Sequence, residues 1–247
     1  GSLGLPDPVE DGVTFQENAL IKARDVAERT GCPAVADDSG LIVDVMGNAP
    51  GILSARWAGE HGNDKANNAL LLKQLADIPD SKRTARFRCA AALVVPGERK
   101  ADGADDDKPY TIASETVEVG EMPGVLLRAP RGANGFGYDP LFVPNDQPQR
   151  AVDAGEKLTS AEMEPAEKNA VSHRGKALRA LKDRDLEEVA STRLLVYAAT
   201  LIKSGLDPVE ACRGALVESL TDDIETAEAL LEIVSEPDMR SSAEAVA

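Results

Sequence analysis

Two adjacent carboxylates, Asp37 and Asp38, stand in "VADDSGLIV" (residues 35–43) between two apolar runs, where an unpaired charge is expensive to bury. Two readings are open from these residues. Asp, Ser and Gly are turn formers, so "DDSG" can hinge two strand segments. Hard oxygen donors at a strand end can instead hold a divalent cation and, with it, a phosphate. Glu17 adds a carboxylate in "TFQENALIKA", and it too has a structural reading, because Thr14 to Glu17 spells a T-x-x-E capping box. Further on, Lys168, His173 and Arg174 gather in "EKNAVSHRG", which could equally be a solvated helix start. "PRGANGFGYDPLFVP" (130–144) sets Phe136 among glycines that can be ordinary loop residues or a close approach to a ligand.

The elements that must position these residues alternate in type. Phe15, Ala19, Ala23 and Val26 recur at helical spacing after the capping box, until Gly31 and Pro33 stop the helix. Asp64 begins a second helix with Leu70, Leu71, Leu72 and Leu75 as its apolar face. "TARFRCAAALVV" (84–95) and "YTIASETVEVG" (110–120) alternate as strands, and residues 97–108 form an acidic loop between them. Residues 130–144 read as a loop feeding a strand, and 147–157 as a surface excursion. Ser172 can cap a helix through Leu181. This mixture predicts an α/β domain.

After Asp183 the character changes. "EEVASTRLLVYAATLIKSG", "DPVEACRGALVESL" and "DDIETAEALLEIV" read as three helices with no strand between them. A boundary near residue 185 therefore divides the chain into an α/β domain over 1–184 and a small all-α module over 185–247, polar from Ser235 on.

Bulk properties narrow the function. A net charge of −16 over 247 residues speaks against a sequence-independent nucleic-acid binder, which needs a basic surface. No apolar run approaches the ~18 residues of a membrane span. Cys32, Cys89 and Cys212 are far apart and in no C-x-x-C spacing, which disfavours zinc and disulfides and suits a reducing cytoplasm.

"TFQENALIKA", "ADDSGL", "PGILSARWAG", "GFGYDPLF", "SAEM" and "EKNAVSHRGKAL" occur in the order and spacing of the inosine triphosphate pyrophosphatase family, and the resemblance covers roughly residues 10–182. It implies a mixed twisted sheet flanked by helices, and hydrolysis of non-standard purine nucleoside triphosphates (ITP, dITP, XTP) to the monophosphate and pyrophosphate. It further implies a cytoplasmic homodimer that uses Mg²⁺. Glu17 and Asp38 resemble the carboxylates that hold the metal, and Asp38 the general base. Ser39 resembles a substrate contact, and Phe136 the ring that stacks on the purine within a loop completed by Gly137, Tyr138 and Asp139. Lys168, His173 and Arg174 resemble the residues that grip the nucleotide and read the keto edge of its base.

Two features depart from that pattern. Family members open with a buried strand and a (Ser/Thr)-x-Asn-x-x-Lys phosphate loop, a motif this sequence lacks; the expectation is an N-terminally truncated fold missing a central strand and a phosphate lysine. The tail, about residues 186–235, is similar to the C-terminal region of CbbQ/NorQ-type AAA+ ATPases, without any G-x-x-x-x-G-K-[ST] loop. These features motivate an alternative expectation, a nucleotide-binding or interaction protein that no longer catalyses and whose helical tail docks a protein partner.

Overall fold

The computed structural model describes residues 5–101, 107–182 and 184. The helical module expected over 185–247 lies outside the described residues. Five α-helices are described, α1 (Phe15–Thr30), α2 (Asp64–Gln74), α3 (Gln149–Ala154), α4 (Pro165–Val171) and α5 (His173–Leu181). Four strands, β1 (Ala34–Val43), β2 (Thr84–Arg99), β3 (Tyr110–Leu126) and β4 (Phe142–Pro144), form one sheet in the order β1-β2-β3-β4. β3 and β4 run antiparallel, with Gly124, Val125 and Leu126 opposite Pro144, Val143 and Phe142. The fold is α/β, as the alternation of elements predicts.

"DDSG" is not a hinge. Residues 34–43 form one continuous strand, because pairing within the sheet outweighs the turn preference of Asp, Ser and Gly. Alternation along that strand places Asp38 with Gly40 and Ile42 on one face, and Asp37 with Ser39 and Leu41 on the other. The surface excursion at 147–157 contains α3, which Gly155 closes in the left-handed conformation at φ 67°.

The described residues cluster into two compact units. One takes in residues up to Asp37, Ala91–Glu118 and those from Leu178 on. Here the capping box forms as the sequence predicts: Glu17 N donates to Thr14 Oγ1 at 3.1 Å, while Glu17 Oε2 accepts from Thr14 N at 3.0 Å. Ala19, Ala23 and Ala27 are the buried stripe of α1. Arg24 donates through Nε and Nη2 to the two oxygens of Glu115 at 2.5 and 2.6 Å, and that bond holds the Glu115 carboxyl below its usual range. Asp25 is pushed up by burial, but hydrogen bonds from Arg29 and Lys108 outweigh this and leave its carboxyl low.

The other unit is Asp38–Ala90 with Val119–Ala177. Its core joins Leu41 and Val43 of β1, Leu71 and Leu75 on and just after α2, Phe87 of β2, Met122 and Leu126 of β3, and Leu141 and Phe142. Of the leucines predicted for the α2 face, Leu71 and Leu75 are buried and Leu72 is partly buried against the core. Arg83 is fully buried; its guanidinium donates to the carbonyls of Leu75, Leu126 and Leu127 at 2.7–3.0 Å, fastening the end of α2 to the end of β3.

Gly120 lets α5 approach β3. A Cβ there would lie 2.1 Å from His173 O and 2.5 Å from Ala177 N, both backbone atoms that cannot swing aside. Overpacking costs about 1–3 kcal/mol, so Gly120→Ala is expected to lower the melting temperature by roughly 3–10 °C in a thermal scan followed by circular dichroism. An unchanged melt would show that α5 can give way at no cost.

Candidate functional site

Asp38, Ser39, Phe136, Gly137, Tyr138, Asp139, Lys168, His173 and Arg174 all fall within one compact unit. Glu17 belongs to the other. Asp38 and Ser39 are half-buried on β1. Two residues further along, Leu41 N donates to Ser54 Oγ at 2.9 Å. Ser54 lies in a 3₁₀ segment (Gly51–Arg56), and its carbonyl accepts the Tyr138 hydroxyl at 2.9 Å. One serine therefore couples the strand bearing Asp38 to the loop bearing Phe136. Burial first, and the nearby Asp64 carboxylate second, push the Tyr138 hydroxyl far above its ordinary value, so it stays a neutral donor.

The loop turns Asp139 inward. Asp139 is 4% exposed; its Oδ2 accepts Phe136 N at 2.9 Å and lies 3.0 Å from Lys168 Nζ. Gly135, at φ +75°, is required for this turn, because a Cβ there would meet Asp139 Oδ2 at 2.3 Å. The Lys168 ammonium, on α4, also sits 4.7 Å from the centroid of the Phe136 ring, a cation–π approach. Phe136 itself is 54% exposed. An aromatic ring that is held from behind and open to solvent can stack on a planar base.

Ser172 caps α5 as predicted, accepting Gly175 N at 2.9 Å on Oγ. That cap presents His173 and Arg174 in the first turn. The His173 imidazole stacks on Phe87 at 5.0 Å with 16° between planes, and Phe87 meets Phe142 edge-on at 4.8 Å. The core thus fixes the ring of His173.

The donor set bears on the divalent cation expected at this site. No group of three or more His, Cys, Asp or Glu side chains suited to a metal occurs among the described residues. Mg²⁺ asks for less, taking one or two carboxylates together with phosphate oxygens and water. Glu17 Oε2 is committed to the backbone N–H groups of Val13 and Thr14, at 2.7 and 3.0 Å.

Sequence reasoning missed the residues beneath the Phe136 loop. On α2, Asp64 Oδ2 accepts Gly137 N and Asn68 Nδ2 donates to Gly137 O, both at 2.7 Å. Asn67, buried beside them, ties α2 to the Ser54 segment by accepting Ala58 N at 2.7 Å and donating to Ala55 O at 3.1 Å. The one available signal was the i, i+4 spacing of Asp64 and Asn68, which puts both on one helix face.

Comparison with known proteins gives a consistent result. Residues 2–184 match the model of the Ham1 family, and residues 159–236 match that of the CbbQ/NirQ/NorQ C-terminal region. The dITP/XTP pyrophosphatase of Bifidobacterium longum (strain NCC 2705) is 69% identical over 207 residues, covering 73% of this chain and 82% of that protein. That of Nocardia farcinica (strain IFM 10152) is 55% identical over 172 residues, covering 70% and 72%. Among solved structures, the nucleoside-triphosphatase / dITP/XTP pyrophosphatase of Mycobacterium abscessus superposes with a TM-score of 0.54 at 48% identity, covering 72% of this chain and 78% of that one. The Ham1 protein of Staphylococcus aureus superposes with a TM-score of 0.60 at 32% identity, covering 73% and 81%.

Proposed function

This chain belongs to the Ham1 family, and we infer from that premise that it hydrolyses the non-standard purine nucleoside triphosphates ITP, dITP and XTP to the monophosphate and pyrophosphate. The observation that carries the inference is the 69% identity to a dITP/XTP pyrophosphatase over 73% of this chain, beside a family match over residues 2–184 that takes in every expected site residue.

The residues divide the work. Phe136 offers its exposed ring to the purine, with Lys168 and Asp139 holding the ring and its backbone from behind. Asp139 completes that loop and positions the peptide that enters Phe136. Arg174 and His173, presented by the Ser172 cap, supply donors for the 6-keto edge. Adenine would leave such donors facing its amino group unpaired, and a buried unpaired donor rejects the wrong base strongly. Asp38 orients the attacking water and accepts its proton. Asp38 and Glu17 are the carboxylates suited to Mg²⁺, which when bound neutralises charge on the phosphates as pyrophosphate departs. The same reading includes a cytoplasmic homodimer, with the segment resembling the CbbQ/NirQ/NorQ region as a docking module for a protein partner.

Pyrophosphate release from ITP, with ATP as control and with and without Mg²⁺, is the direct test. Turnover of ITP that needs Mg²⁺ and spares ATP is expected. Folded protein that releases no pyrophosphate from ITP, dITP or XTP would overturn the reading.

A further inference from the structure

The Phe136 ring is half in solvent on a glycine-flanked loop, yet a stacking platform has to be rigid, since ordering a loop on binding costs affinity. Asp139 fixes the peptide that enters Phe136. The peptides on the far side of the ring are fixed from α2. Asp64 accepts the N–H of Gly137 and Asn68 donates to its carbonyl, so the two peptide units flanking Gly137 are both held by one helix face. Gly137 sits at φ +60° with nothing within 4 Å of a built Cβ, so no packing against this residue adds to those bonds. Asn68 Oδ1, although buried, has no hydrogen-bond partner among the described residues.

The geometry points to Asp64 and Asn68 as positioning residues for base recognition: together they clamp Gly137 and thereby hold the Phe136 ring where a purine can stack on it. This rests on the reading of Phe136 as the base platform. Stacking on an aromatic side chain is sequence-tolerant but worth a substantial share of nucleotide affinity. It is made alike in the ground and transition states, so its loss appears in KM more than in kcat.

The test is a double-mutant cycle in the full chain, read as KM and kcat for ITP. Phe136→Ala first establishes whether the ring matters: an unchanged KM would remove the base-platform reading itself, and the clamp proposal with it. Given a raised KM for Phe136→Ala, Asp64→Ala and Asn68→Ala are each expected to raise KM about tenfold with kcat within about threefold. In the Phe136→Ala background the same substitutions are expected to change KM less than twofold, because their effect passes through the ring. Asp64→Asn, which retains an acceptor for Gly137 N, is expected to recover most of the loss. Equal KM effects with and without Phe136, or single substitutions that leave KM unchanged, would overturn the clamp while leaving the platform standing. Asp64 and Asn68 grip opposite ends of one residue, so either variant alone keeps the proposal testable should the other fail to fold.

Discussion

Asp38→Asn is expected to lower kcat for ITP by about 10²–10⁴-fold while leaving the thermal melt within a few degrees of the parent. Asn matches Asp in shape, so the half-buried position on β1 keeps its packing. The amide, however, can neither accept a proton from water nor serve as an anionic ligand. The two losses act on the same step and are not additive, which is why a range rather than a product is expected. Steady-state pyrophosphate release, measured beside circular dichroism, checks both halves of the statement. Turnover within tenfold of the parent would remove Asp38 as the base. Loss of turnover together with loss of folding would instead place Asp38 in the architecture of β1.

What could be read in the sequence was whatever local chemistry decides. The capping box at Thr14, the left-handed Gly31 at the end of α1 and the Ser172 cap of α5 each depend on residues within four positions of one another, and each stands where the spacing predicts. "DDSG" was misread because its turn preference is local while its strand conformation is imposed by neighbouring strands. β2 and β3 also run past their predicted ends, to Arg99 and Leu126, since pairing with a neighbouring strand keeps residues extended whatever their local pattern.

The site divides along the same line. Phe136 and the Lys168-to-Arg174 cluster were legible as types in order. The partners that give them a fixed geometry come from remote segments: Ser54 reaches Tyr138 across 84 positions, and Asp64 reaches Gly137 across 73. No periodicity signals such a pairing. Asp139 is an example, because its contacts with Phe136 N and with Lys168 depend on the left-handed turn at Gly135 and on a helix some thirty positions away.

That inward turn carries the largest stability effect expected in the molecule. Lys168 and Asp139 form an ion pair whose side chains are only 7% and 6% exposed. Forming such a pair gains little overall, because desolvating two charges offsets their attraction. Removing one member is another matter, since the remaining buried charge loses this counter-charge, at a cost of up to about 3–5 kcal/mol. Asp139→Asn should therefore shift the urea midpoint sharply downward at an unchanged slope, and the Phe136 N–H loses its charged acceptor at the same time. Lys168→Met in that background removes the ammonium that has lost this counter-charge, so the double variant is expected to be more stable than Asp139→Asn alone. It should nonetheless turn over ITP poorly, because the ring has lost the cation behind it. An Asp139→Asn variant within about 1 kcal/mol of the parent, or a double variant whose losses simply add, would mean that solvent or other groups already compensate Lys168. The pair would then be a surface contact in energetic terms, and the rigidity of the Phe136 loop would have to come from α2 alone.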